Sequence, residues 1–249
     1  MTSEGRASSG ALPDLAYIVR PGENEELRHS LRSIAQHADG LYRKVWVVGT
    51  VLPWLRNIEP LPLDPHPDKF GNQRQSITAL VNHPDVADAV VIANDDQFLL
   101  RPIPDWTPTH LGPIDAAIAR FLKGGMSPGN SWGQGVQETS NWTRAQLGQE
   151  PLCYEAHIPL LFDKAALADC LERYTGRLCY ANLYPIAGAG GEGTRDGNCK
   201  VRDRTQERLD EKLALDMPWI SGNEDNFELG ALGRFIRTAF PTPSRYEEA

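Results

Sequence analysis

The tripeptide Asn94-Asp95-Asp96 closes an apolar run at residues 89–93 and puts two adjacent carboxylates at its end. Carboxylate oxygens are hard ligands. A pair of them suits Mg2+ or Mn2+ held against a diphosphate, whose leaving charge the cation neutralises. Paired acids are also common in caps and turns, so their position after an apolar run is what points to chemistry. His157 lies in Tyr154-Glu155-Ala156-His157-Ile158-Pro159. An imidazole titrates near neutrality and can take a proton from an attacking hydroxyl, although a lone histidine is more often structural. Arg177 and Asn182 stand close together, and the planar guanidinium fork pairs well with phosphate oxygens. A single arginine near a turn is ordinarily a solvated charge. Lys69 and Asn72 open a segment of helical character, where unpaired backbone N–H groups favour anions and where capping is the simpler explanation.

The elements that must position these groups follow from periodicity. Residues 15–20 and 45–48 are short apolar runs expected as strands, the second apolar on both faces as in a sheet covered by helices. Pro21-Gly22 stops the first. From about Asn24, the residues Leu27, Leu31, Ile34 and Ala38 recur at helical spacing, with Glu25 and Glu26 in the first turn, where acids complement the helix dipole. Further helices are expected over 72–81, over 163–174 with Asp163 as cap, and over 226–239. The last would put Leu229, Leu232, Phe235 and Ile236 on one face and stop at Pro241 and Pro243. Residues 89–93 are the third strand. Residues 53–69 read as irregular, 123–149 as a long polar surface loop and mobile lid, and 187–198 as a glycine-rich loop. The order strand, helix, strand, connection, helix, strand describes an open α/β sheet wound with crossovers. Such sheets bind ligands beyond the carboxyl ends of their strands, which is where Asn94-Asp95-Asp96 falls.

Composition narrows the function. With 33 acidic and 25 basic residues the formal charge is −8, and no Lys/Arg block breaks that balance. This excludes a non-specific nucleic-acid binder. No run is apolar enough to span a bilayer, and residues 1–13 read as a disordered lead-in without a signal-peptide core. The expectation is a cytoplasmic protein with one domain over 14–249. Cys153, Cys170, Cys179 and Cys199 match no zinc or redox spacing and are expected reduced and buried. Asn141-Trp142-Thr143 fits a glycosylation acceptor, a coincidence in a protein without a secretion signal.

Several blocks together resemble the Stealth family, the sugar-1-phosphate transferases of bacterial capsule synthesis related to N-acetylglucosamine-1-phosphotransferase. Asn24 to Ile34 resembles the family's second block, followed in order by Val45 to Gly49, Pro53-Trp54-Leu55, Lys69 to Asn72 and Asn94-Asp95-Asp96-Gln97-Phe98. Ala156-His157-Ile158-Pro159 through Lys164 resembles its His-x-Pro segment. The opening Arg20-Pro21-Gly22 and the ending Phe240 to Tyr246 also resemble small actinobacteriophage proteins described as glycosyltransferases. The family's first-block aspartate is absent, and Arg20 stands nearby.

The resemblance implies a GT-A-like open sheet flanked by helices and a nucleotide-sugar donor. It implies metal ligation by Asp95 and Asp96 and catalytic roles for Asp96, His157 and Arg177. Arg20, Asn24, Arg28, Lys69, Asn72, Asn94 and Asn182 would contact substrate. The expected reaction is glycosyl transfer to a hydroxyl of a glycan, protein or modified nucleotide, in a host cytoplasm if phage-encoded. Sugar-1-phosphate transfer and a non-catalytic sugar- or nucleotide-binding module are the alternatives.

Overall fold

The computed structural model describes residues 11–125, 127, 129–195 and 199–248. The apolar runs form strands β1 (Asp14–Val19), β2 (Val45–Gly49), β3 (Glu59–Pro62) and β4 (Ala89–Ala93), linked by α1 (Glu25–His37) and α2 (Lys69–Asn82). After β4 come β5 (Gln97–Leu99), β6 (Thr109–His110), α3 (Ile114–Lys123), α4 (Ser131–Leu147) and β7 (Leu160–Asp163). Then follow α5 (Lys164–Arg173), a 3-10 turn (Tyr180–Leu183), α6 (Tyr184–Ala187), β8 (Thr194–Arg195), α7 (Gln206–Leu213), β9 (Trp219–Ser221), α8 (Glu224–Leu229) and α9 (Ala231–Ala239).

The central sheet has the order β3-β2-β1-β4-β7, parallel throughout except for β7, which runs against β4 with Ile92 opposite Leu160. Its middle strands are buried along nearly their whole length, as the unbroken apolar runs require when helices cover both faces. The observed architecture is therefore the expected α/β open sheet. A smaller core of Phe98, Ile220, Phe227, Leu232, Ile236 and their neighbours lies under α7, α8 and α9, where β5 pairs with β9.

Three expectations are corrected. The polar stretch 123–149 is a helix for most of its length. Asn130 caps α4 by accepting from the Trp132 and Gly133 backbone N–H groups at 2.9 and 3.2 Å, and Gly148 ends it at φ 67°. Its buried face consists of Gly133, Gly135, Val136, Thr139, Ser140 and Thr143. Small residues let the helix approach closely: a Cβ on Gly135 would meet Phe70 at 2.9 Å and Cys179 at 3.1 Å. Loop-like composition here marks close packing. Thr143 is buried and donates to the Asn182 carbonyl, so Asn141-Trp142-Thr143 sits in a packed helix and not in an open loop.

The last helix is two. The chain breaks at Gly230, where a Cβ would stand 2.5 Å from the Asn226 carbonyl oxygen, and this leaves Leu229 62% exposed while Leu232 and Ile236 are buried. Residues 59–62 of the irregular segment form β3, and α2 begins at Lys69, where Asp68 accepts from the Gly71 N–H at 2.6 Å. Glu26, in the first turn of α1 as expected, is buried. The cap at Asp163 is as expected, accepting from Ala166 N–H at 2.8 Å, and all four cysteines are free and buried. Within the glycine-rich stretch, residues 196–198 lie outside the described residues, as do residues 1–10 of the expected lead-in. No helix among the described residues is long and apolar enough to cross a membrane.

Candidate active site

Parallel strands all end on the same edge of a sheet, so β1 delivers Arg20 and β4 delivers Asn94, Asp95 and Asp96 to one place. α2, entered from the end of β3, starts at that edge with Lys69. Strand β7 runs the opposite way, and this brings a distant segment to the same edge. His157 precedes Leu160 by three residues, just as Asp96 follows Ala93 by three. These residues line a cleft of about 570 Å³.

The acid pair sits in a tight turn between β4 and β5. Gln97 Oε1 accepts from the Asn94 N–H at 2.9 Å, and the Asp96 carbonyl accepts from the Gly222 N–H at 3.1 Å. On α1, Ser30 donates to the Gln97 carbonyl at 2.5 Å and Ser33 accepts from the Leu99 N–H at 3.0 Å, which locks β5 onto the helix. Burial, and then the neighbouring Asp96 charge, push the Asp95 carboxyl up to about 7, against the opposing pull of Arg20. Glu26 reaches the same place from α1. Burial, Asp95 and Asp96 push it up to about 8, and its Oε1 is buried without a hydrogen-bond partner among the described residues.

His157 takes a left-handed backbone conformation, φ 62°, tolerated by histidine more readily than by branched residues. Its Nε2 is 2.9 Å from Lys200 Nζ and 3.9 Å from Asp96 Oδ2, while Lys200 Nζ is 3.5 Å from the same oxygen. An ammonium can only donate, so Nε2 accepts here and the ring proton of the neutral imidazole resides on Nδ1. Burial pushes the ring down to about 4; Lys200, Lys69 and Arg202 add to this, and Asp96 opposes it. The imidazole is therefore neutral at pH 7. Glu155 is pushed up to about 7 by burial, with Trp132, Lys200 and Lys69 acting the other way.

The structure brings together six of the sequence-selected residues in this cleft: Arg20, Lys69, Asn94, Asp95, Asp96 and His157. The others stand elsewhere. Asn24, at φ 49°, donates to the Arg20 carbonyl at 2.7 Å and shapes the turn after β1. Arg28 pairs with Glu247 at 2.8 Å and lies 4.2 Å from the centre of the Trp54 ring. Asn72 accepts from the His66 N–H at 3.0 Å. Arg177 is exposed and pairs with Gln134 and Glu138 on α4. Asn182 is buried, and neither atom of its amide has a partner among the described residues. Conversely, Glu26, Glu155, Trp132, Tyr180, Lys200 and Glu224 line the cleft without having been singled out. Only Glu26 left a trace in sequence: it is in helical phase with Ser30 and Ser33, a polar stripe beside the apolar Leu27, Leu31 and Ile34 of the same helix.

No group of three or more His, Cys, Asp and Glu side chains among the described residues is arranged to hold a metal unaided. Two carboxylates nevertheless fit Mg2+ or Mn2+, because such ions commonly take one or two carboxylates and complete their shell with substrate phosphates and water. Glu26 Oε1 is buried without a partner among the described residues, and the carboxyls of Glu26 and Asp95 are raised first by burial and then by neighbouring acids, so a cation bound there would favour their ionised form.

No protein-family model matches the sequence, and no curated protein matches it. Among solved structures, an active-site mutant of LgtC superposes with TM-score 0.47 at 13% identity, over 92% of this chain and 96% of that one. The galactosyltransferase LgtC in complex with donor and acceptor sugar analogues gives TM-score 0.42 at 12% identity, over 91% and 95%. The bifunctional glycosyltransferase WbbM gives TM-score 0.44 at 12% identity, over 93% of this chain and 52% of that one, so this chain spans about half of WbbM.

Proposed function

We propose that the chain transfers a sugar from a nucleotide-sugar donor to a hydroxyl acceptor, with Mg2+ or Mn2+ held by Asp95 and Asp96. The observation that carries this reading is the carboxylate pair at the carboxyl edge of the sheet, inside a cleft that also holds Arg20, Lys69 and Lys200. The cations pair with the donor's diphosphate, and Phe70, Trp132 and Tyr180 supply apolar walls for a sugar or base. When bound, the divalent ion neutralises charge on the departing diphosphate.

In the reaction the acceptor oxygen bonds to the anomeric carbon as the bond from that carbon to the diphosphate oxygen breaks, and a nucleoside diphosphate leaves. The hydroxyl proton goes to His157 Nε2. Lys200 covers that nitrogen in the free protein; its movement onto the donor phosphates uncovers the base at the moment donor is in place. The remaining members of the cleft hold the donor and exclude water.

Sugar-1-phosphate transfer is the second reading. In it the acceptor attacks phosphorus and a nucleoside monophosphate leaves. The entry of His157 into the cleft favours it, in line with the Stealth-like His-x-Pro segment. The position of Arg177, paired to α4 outside the cleft, supports glycosyl transfer over it. A mass-spectrometric screen of nucleotide sugars with Mg2+ or Mn2+, identifying the released nucleotide, tests both. Diphosphate is the expected product; monophosphate as sole primary product selects the second reading. Binding without turnover of any donor selects a non-catalytic module.

A further inference from the structure

The first turn of α1 carries two adjacent acids with different fates. Glu25 is held by Arg237, which donates to its two oxygens at 3.1 and 2.7 Å. Glu26 lines the cleft and is only 4% exposed. No hydrogen bond from a described residue reaches either of its carboxyl oxygens. Its ion pair with Arg20 is long, at 3.8 Å, and the same Arg20 nitrogen binds Glu224 at 2.9 Å. The hydroxyls of the stripe below are used elsewhere. Ser30 gives its single proton to the Gln97 carbonyl, so Tyr17 is the donor in the 2.9 Å bond between Tyr17 and Ser30. A buried acceptor left without a donor costs free energy that a ligand can return. Among the described residues no three acids are arranged to hold an ion, so Glu26 is not a third metal ligand.

The sheet says which ligand reaches it. In the order β1, β4, β7 the acid pair follows the middle strand, α1 follows β1, and His157 precedes β7. Glu26 and His157 therefore come to Asp95 and Asp96 from strands on opposite sides. A hydroxyl that gives its proton to His157 belongs to the acceptor, and a group at Glu26 belongs to the donor. We infer that Glu26 is a specificity residue that accepts hydrogen bonds from hydroxyls of the donor, on its ribose or on its sugar; this rests on the transferase reading above. Ionised or protonated, a carboxyl keeps an acceptor oxygen for such a hydroxyl. Rotation about its last bond, a soft two-fold torsion, brings either oxygen to the cleft.

The test is calorimetric titration of the full chain with Mg2+, and of Glu26→Met and Glu26→Gln. The probes are uridine and guanosine diphosphates, their 2′-deoxy and 3′-deoxy forms, and their glucose, galactose and mannose esters. If the ribose is read, Glu26→Met loses about tenfold in affinity for the ribose forms, the worth of one hydrogen bond to a carboxyl, and nothing for a deoxy form. If the sugar is read, the loss appears against a hexose ester and not against the bare diphosphate. Glu26→Gln keeps an acceptor oxygen and should retain most of the affinity in either case. Glu26→Met should unfold no earlier than the parent, because it removes a buried polar group without a partner. A loss equal for every probe, deoxy and sugar-free forms included, assigns Glu26 to the field of the acid pair and overturns the inference; so does no loss at all. Earlier unfolding of Glu26→Met assigns the carboxyl a structural role and also overturns it. In each of these cases nucleotides still bind and the transferase reading stands. A parent that binds no nucleotide sinks that reading and this inference with it.

Discussion

Glu247→Gln separates a structural role for Arg28 from a substrate-binding one. The Glu247 side chain is only 1% exposed and receives Arg28 at 2.8 Å and Arg32 at 2.7 Å. The Ser244 N–H also donates to it at 2.8 Å. Despite burial, which acts the other way, Arg32, the Ser244 backbone and Arg28 pull its carboxyl down to about 2 from an ordinary 4.5. At about 1.4 kcal/mol per tenfold change in proton affinity, that depression corresponds to about 3 kcal/mol of folding stability. The folded pKa is lowered, so the contribution is fully present above pH 4.5 and is lost as pH falls from there through 2. Urea unfolding followed by tryptophan fluorescence should show Glu247→Gln less stable than the parent by about 2 to 3 kcal/mol at pH 7, with the gap at least halved at pH 3. Arg28→Gln should be destabilised in the same direction and leave nucleoside diphosphate affinity unchanged. A pH-independent gap, or one below about 1 kcal/mol at pH 7, refutes the ion-pair reasoning. A loss of donor affinity with unaltered stability in Arg28→Gln returns that arginine to the substrate.

Asp96→Asn should abolish turnover and leave the unfolding midpoint within a few degrees; full activity in chelator, or an unchanged rate in the variant, ends the metal proposal. His157→Ala should lower the transfer rate by roughly 100-fold or more with donor affinity within about threefold, measured by separate kinetic and binding titrations; weakened affinity at an unchanged rate assigns His157 to binding. Gly135→Ala should cost about 1 to 3 kcal/mol in denaturant unfolding, because its new methyl would press on Phe70 and Cys179; an unchanged midpoint would mean that the α4 interface yields freely.

The sheet was legible because its strands are buried on both faces, so their sequences are unbroken apolar runs that end abruptly at the acids. β7 was not. At four residues it lies between the His-x-Pro segment and a strong helix cap, and nothing local separates it from a helix lead-in. α4 was hidden because small polar residues serve close packing as well as they serve loops, and composition does not distinguish the two. In the cleft, Asp95, Asp96 and His157 stood out by type and setting. Lys200 and Glu155 did not, since a lysine after a glycine-rich stretch and a glutamate two residues before a histidine look like solvated charges until the sheet edge gathers them. In sequence Glu26 complements the helix dipole, because its turn is acidic. Its burial depends on which side of α1 meets β5, and that is a tertiary fact.

The reversed strand β7 has a consequence for how this protein tolerates change. Asp96 and His157 approach one another along strands of opposite direction, each counted out from a paired residue on the sheet. Adding one residue between His157 and Leu160 would displace the imidazole by up to about 3.3 Å, one strand step, comparable to its whole separation from Lys200. Side-chain replacement at Ile158 or Pro159 leaves that count intact. Variant libraries should therefore hold the length of this segment fixed and place insertions elsewhere, because here distance along the chain is itself the heritable setting of the geometry of the cleft.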